Sequence, residues 1–208
     1  MPKKEVPVDH LQQFLPPGTG AAVINYLHQY KVHLTIAAER TSILGDYRHR
    51  THHANHRISV NGNLNTYSFL ITLLHEIAHL LTFEQYGNKV QAHGKEWKMI
   101  FGQLLHQFVR HKIFPSDIEK ELLISLKNPA ASSCAEEGLL RVLRNYDAKK
   151  SNHHLMEEIA PGTLFRIKDG RVFRKGEQLR KRFKCIEIKT GKMYLFSPVY
   201  EIELLPAG

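Results

Sequence analysis

Phe69-Leu70-Ile71-Thr72-Leu73-Leu74-His75-Glu76-Ile77-Ala78-His79-Leu80-Leu81 is apolar on nearly every face, yet it carries two histidines and a glutamate at its middle. A run this long without strand alternation predicts a helix from about Thr66 or Ser68 to Tyr86. Having no polar face, that helix belongs at the centre of a domain. Positions four apart share a helix face, so the imidazoles of His75 and His79 can reach one metal ion. Glu76 can then polarise a water held there. A bare H-E-x-x-H match carries little weight without context, and the flanking sequence supplies the context.

Upstream, Ala22, Val23, Tyr26, Leu27 and Tyr30 trace one stripe of a helix. The period then shortens to two. Val32, Leu34, Ile36 and Ala38 alternate as a strand, and Ile43 to Arg48 and Arg57 to Asn61 are two further short strand candidates. The turn between the last two holds His49, His52, His53 and His56, read as a solvated polar turn near the cleft, with contact to substrate or phosphate as the alternative. Downstream, Gly87-Asn88 stops the central helix. His93-Gly94 opens a second one, marked by Trp97, Ile100, Phe101, Leu104, Leu105 and Phe108. Ser116 with Glu119 reads as a capping box for a third. A break is expected over residues 128–133 and a last helix over 136–146.

Beyond Pro161-Gly162 the texture changes. Leu164–Ile167, Arg171–Arg174, Phe183–Ile188, Met193–Phe196 and Tyr200–Leu204 read as short strands, and Asp169-Gly170 and Thr190-Gly191 as hairpin turns. Such spacing suggests a small barrel or curled meander. The fold class is therefore α+β, with a domain over 1–146, a linker over 147–157 and a small basic all-β module over 158–208.

The chain's 208 residues suit one medium domain with a small module attached. Its net charge of +9 favours a polyanionic partner, nucleic acid first. Residues 161–208 hold 11 Lys or Arg against 5 Asp or Glu, so most of the surplus lies in the module. Arg180-Lys181-Arg182, followed by Phe183, Tyr194 and Phe196, mixes cations and rings as a single-strand-binding surface would. A strand edge protected by charge is the competing reading. Cys134 and Cys185 make no C-x-x-C pair, which suits a reducing compartment. No apolar stretch nears the roughly 20 residues of a membrane helix, so no membrane partner is expected. Met1-Pro2-Lys3-Lys4-Glu5 leads into no apolar signal core, and a cytoplasmic chain is expected, with nucleoid association compatible.

Two histidines leave a zinc ion short of its usual third protein ligand. The longer H-E-x-x-H-x-x-G-x-x-H pattern fails, because Thr82 and Gln85 stand where its Gly and third His would be. His93 is the best third ligand; Glu84, Glu96 and Glu119 are its rivals.

Three strands, an H-E-x-x-H helix, a loop and a His-Gly opening a Trp-bearing helix form an order that resembles the SprT-like family, which includes the Spartan-type DNA-dependent metalloproteases. The residues carrying the resemblance are Leu44-Gly45-Asp46-Tyr47-Arg48, Ile58-Ser59-Val60-Asn61, Leu74 to His79 and His93-Gly94-Lys95-Glu96-Trp97, within about residues 20–125. It implies a minimal zincin fold, His75, His79 and His93 as Zn2+ ligands, Glu76 as general base, and protein substrates held on DNA, as in DNA repair. Many relatives add a zinc ribbon of paired C-x-x-C motifs. Here only Cys185 lies in that region, so a second zinc is not expected and the basic module takes the ribbon's place. The leading expectation is a zinc endopeptidase acting on proteins bound or crosslinked to DNA. The alternative is a non-catalytic, zinc-stabilised nucleic-acid-binding or transcription-associated protein. A third reading is a metallopeptidase of broad specificity with no nucleic-acid link.

Overall fold

The computed structural model describes residues 8–40, 42–126, 134, 136–148 and 152–205. The chain divides into two compact units, Met1–Asp147 and Ala148–Gly208, each with its own apolar core. The break expected over 128–133 lies outside the described residues.

In the first unit, α1 (Val8–Leu11) runs through a 3-10 turn, Gln12–Phe14, towards α2 (Gly20–Gln29), which buries Val23 and Leu27. Strands β1 (His33–Ala37), β2 (Gly45–Arg48) and β3 (Arg57–Asn61) form a sheet ordered β1-β3-β2. β1 runs parallel to β3, with Ile36 opposite Val60. β2 runs antiparallel to β3, with Tyr47 opposite Ile58, and so lies at an edge. Its strand begins at Gly45 rather than Ile43. Buried Asn61 accounts for this: its side-chain amide donates to the Ile43 and Arg40 carbonyls and holds that stretch as a loop. Arg40 returns a bond to Asn61 Oδ1 at 2.7 Å.

The central run folds as α3 (Thr66–Tyr86). Asn65 caps it by accepting the Ser68 N–H, and the Asn65 amide donates to Leu143 O and Asp147 Oδ1. Gly87 ends it at φ +60°, a conformation that costs a glycine little. α4 (Lys95–Arg110) packs on α3 through Trp97, Phe101 and Leu105, and α5 (Ser116–Ser125) and α6 (Glu137–Arg144) complete the core. The capping box expected for α5 does not form. Pro115 takes the N-cap position, so Ser116 is already helical, and Glu119 instead pairs with Lys112 at 2.8 Å.

The second unit is a six-stranded antiparallel sheet, a curled half-barrel. Its strands are β4 (His153–Leu155), β5 (Leu164–Arg166), β6 (Val172–Leu179), β7 (Arg182–Glu187), β8 (Met193–Phe196) and β9 (Glu201–Leu204), in the order β4-β9-β5-β6-β7-β8. Gly170 and Gly191 sit at hairpin turns with φ of +86° and +69°. One expectation is corrected here. The segment 147–157 is not only a linker, because β4 pairs with β9 and Met156 is buried among Phe165, Phe173, Cys185 and Ile202. Within that segment, residues 149–151 lie outside the described residues. Lys175 is buried too, its ammonium donating to the carbonyls of Met156 and Ile159 and lying 3.9 Å from the Phe183 ring centroid. Among the described residues, no helix is long and apolar enough to cross a membrane.

Candidate metal centre

Helix α3 turns His75 and His79 to one side, and the residue two before α4 brings in His93. His75 Nε2 lies 3.3 Å from His79 Nε2 and 3.3 Å from His93 Nε2, and all three ligand nitrogens fall within 4.8 Å of one another. A tetrahedral ion bound at about 2.0–2.1 Å requires nitrogens about 3.3–3.4 Å apart, so the spacing fits a single first-row cation. Burial holds the imidazoles in the neutral form that ligates. It pushes His75 down to about 3 and His79 to about 4, helped by the neighbouring histidines, and it lowers His93 as well. Among the described residues, no other trio of His, Cys, Asp or Glu converges in this way.

Trp97 forms the wall behind the trio. Its ring is fully buried and lies 4.6 Å from His75, 4.8 Å from His93 and 5.2 Å from His79, centroid to centroid. At Gly94 a Cβ would stand 3.2 Å from Gln91 O and 3.3 Å from Glu96 Oε2, so the tight turn that returns His93 to the site favours glycine. The three rival glutamates are engaged elsewhere: Glu84 with Arg50 and His56, Glu119 with Lys112, and Glu96 more loosely with Lys95. His75 Nδ1 is buried and meets no hydrogen-bond partner among the described residues. A proton on Nδ1 leaves Nε2 free to bind the cation.

Glu76 is 5 % exposed and packs under β2. A Cβ placed on Gly45 would stand 2.5 Å from Glu76 Oε1 and 2.8 Å from Thr72 Cγ2, so the bare backbone of β2 lies directly on this side chain. Burial, and then the charge of Asp46, push the Glu76 carboxyl up to about 8, with Arg40 opposing. A cation held by the three histidines would draw that value back down. Above the trio and Glu76 opens a cleft of about 690 Å³, walled by Ile43, Asp46, Tyr47, His49, Phe83 and Val90 among others.

The histidine-rich turn splits in two. His52 and His53 are exposed, as a solvated turn requires, while His49 stacks on Phe83 at 4.6 Å and lines the cleft. His56 departs from the expectation. It is 2 % exposed, with Nδ1 2.9 Å from the Tyr47 hydroxyl and Nε2 3.3 Å from Glu84. Its carbonyl accepts the His33 N–H, which draws it under the sheet. Tyr47, given no role of its own from the sequence, lies parallel to the His79 ring at 6.4 Å. The signal for it was the strand period, since Gly45 and Tyr47 share the face of β2 that meets α3.

In the second unit, Arg180, Lys181 and Arg182 are exposed around the tip of the β6–β7 hairpin. The rings expected beside them are not. Phe183 and Tyr194 are half-buried against the second core and Phe196 lies within it. Alternation puts those rings on the face opposite Arg182 and Lys184, and the cation that lies over Tyr194 is instead Arg171, 5.3 Å from the ring centroid.

Residues 19–118 match the SprT-like family. Protein SprT of Glaesserella parasuis serovar 5 (strain SH0165) is 58 % identical over 31 residues, which is 15 % of this chain and 19 % of that protein. Protein SprT of Pseudomonas entomophila (strain L48) is 52 % identical over 29 residues, 14 % of this chain and 18 % of that one. The chain thus spans about a fifth of the length of these relatives. No solved structure matches the chain.

Proposed function

Residues 19–118 belong to the SprT-like family, and from that footing we propose that the chain is a zinc-dependent endopeptidase acting on proteins bound or crosslinked to DNA. The observation that carries this reading is a trio of neutral imidazoles, His75 buried and His79 and His93 half-buried, with His75 Nε2 3.3 Å from each of the other two, a buried glutamate beside them and a cleft opening above. A purely structural zinc site closes its fourth position with a protein ligand. Among the described residues, no fourth ligand joins the trio. His75, His79 and His93 would hold the zinc, which when bound supplies a Lewis acid for the scissile carbonyl. Glu76 takes a proton from the attacking water and returns it to the leaving amine. Trp97 keeps the ligand rings in register, and β2 holds Glu76 from above.

The DNA part of the proposal rests on charge. The exposed Arg180, Lys181 and Arg182 at the tip of the β6–β7 hairpin suit a sequence-independent contact to phosphates. A cytoplasmic site of action, at DNA, goes with this reading. The test is Glu76→Gln in the full chain. Zinc by elemental analysis should stay at one per chain while cleavage of a DNA-binding protein, measured with and without DNA, falls about 10²–10⁴-fold. Undiminished cleavage would overturn the mechanism.

A further inference from the structure

One edge of the second unit's sheet is bare. Among the described residues, β8 pairs with β7 alone. The strand reads Met193-Tyr194-Leu195-Phe196 and contains no charge and no proline, two of the devices by which exposed edges resist further pairing. The hairpin decides which backbone groups the edge offers. The Glu187 N–H donates to Lys192 O at 2.9 Å and Glu187 O accepts the Gly191 N–H, a bulge in which Gly191 and Lys192 together face Glu187 and Lys192 takes the bonded place in the ladder. Bonded pairs alternate with non-bonded ones along an antiparallel ladder. Ile186 with Met193 and Lys184 with Leu195 are therefore the non-bonded pairs, and Met193 and Leu195 turn their N–H and C=O groups away from β7. The same two residues are 57 % and 45 % exposed.

The outer face beside this edge is apolar and cationic at once. Leu164, Arg174, Ile186 and Met193 form one cross-strand row, with Lys184 and Leu195 adjacent to it. Of the nearby carboxylates, Asp169 pairs with Arg171 and Glu203 with Arg166, Glu187 is buried, and Glu177 stands exposed at the bulge of β6. Among the described residues, Arg174 and Lys184 have no ion-pair partner.

We infer that the β8 edge docks an extended, acidic polypeptide segment that adds to the sheet as a further strand. Backbone bonds to Met193 and Leu195 supply affinity, and side chains select. Outward residues of the segment are apolar, covering Met193 and Leu195, and its flanks carry carboxylates that meet Lys184 and Lys192. The aliphatic residues favour polypeptide over nucleic acid, because a phosphate backbone would take the cations and leave Ile186, Met193 and Leu195 facing water. This site is independent of the chemistry at the histidine trio.

The probe is a fluorescein-labelled peptide, Glu-Val-Thr-Val-Thr-Val-Glu, titrated against the full chain by anisotropy, with amide hydrogen exchange followed by NMR. Saturable binding is expected, with exchange at Met193 and Leu195 slowed about tenfold or more. The same peptide flanked by lysines should bind about tenfold more weakly, as should Glu-flanked peptide to Leu195→Glu, because like charges then meet. Unchanged exchange at Phe165 and Phe173 verifies that the variant is folded. Should Leu195→Glu disturb the sheet, Lys184→Glu carries the same test from the neighbouring strand. Equal binding of both peptides, protection located elsewhere, or protection of Met193 and Leu195 by duplex DNA or phosphatidylserine vesicles but not by the peptide would each overturn the inference.

Discussion

Gly45→Ala is the sharpest test of how the first unit holds Glu76. The added methyl would stand 2.5 Å from Glu76 Oε1, 2.9 Å from Glu76 Cγ and 2.8 Å from Thr72 Cγ2. Rotating the carboxylate relieves the first contact and neither of the others, because both carbons sit close to the backbone of α3. That helix is buried along most of its length, so β2 must lift or Glu76 must swing out. Overpacking of this kind costs about 1–3 kcal/mol. For a unit of this size that corresponds to about 2–4 °C of melting temperature per kcal/mol. A base displaced by about 1 Å can lose about a hundredfold in rate. The expected result is a lowered melting temperature, zinc content equal to wild type, and cleavage reduced about a hundredfold. The assays are calorimetry, elemental analysis and proteolysis of a DNA-bound protein on one preparation. If Gly45→Ala melts and cleaves as wild type does, β2 yields freely and the argument that glycine is needed above Glu76 fails.

His93→Ala should lower zinc content well below one per chain by elemental analysis; undiminished zinc would move the third ligand elsewhere. In the metal-free chain, His75 and His79 hold protons far less readily when folded than at their ordinary 6.5. The unfolded chain therefore binds more protons between the two values. The share of stability that the two histidines carry should be full above about 6.5 and fall as pH drops towards 4, read as melting temperature after chelation in Glu76→Gln, where the opposing titration of Glu76, raised to about 8, is absent. Neutralising Arg180, Lys181 and Arg182 together should weaken binding of DNA or RNA and flatten the slope of log affinity against log salt; a triple variant that binds as wild type does would place the phosphate contact elsewhere.

The sequence was most informative where an element's own period carries the geometry. His75 and His79 share a face because helices repeat every 3.6 residues, and no tertiary knowledge is needed to see it. His93 was legible through its neighbours, a glycine that permits the turn and a tryptophan one turn on. Elsewhere a local signal was present but outcompeted. Ser116 and Glu119 have the spacing of a capping box, yet Pro115 occupies the cap and Lys112 takes the glutamate. His153-His154-Leu155 has no strand pattern of its own; pairing with β9 makes it one. The aromatic residues of the module show the reverse failure. Period two already separates Phe183 from Arg182 and Lys184, whereas Arg171, which lies over the Tyr194 ring, is brought there only by the pairing of the strands. Least legible was the contact of Gly45 with Glu76. It depends on where an edge strand lies across a helix, and that placement is set by the register of β2 on β3 together with the loop that Asn61 and Arg40 hold. A glycine in a short strand candidate reads as a weakness of the strand until the side chain beneath it is known.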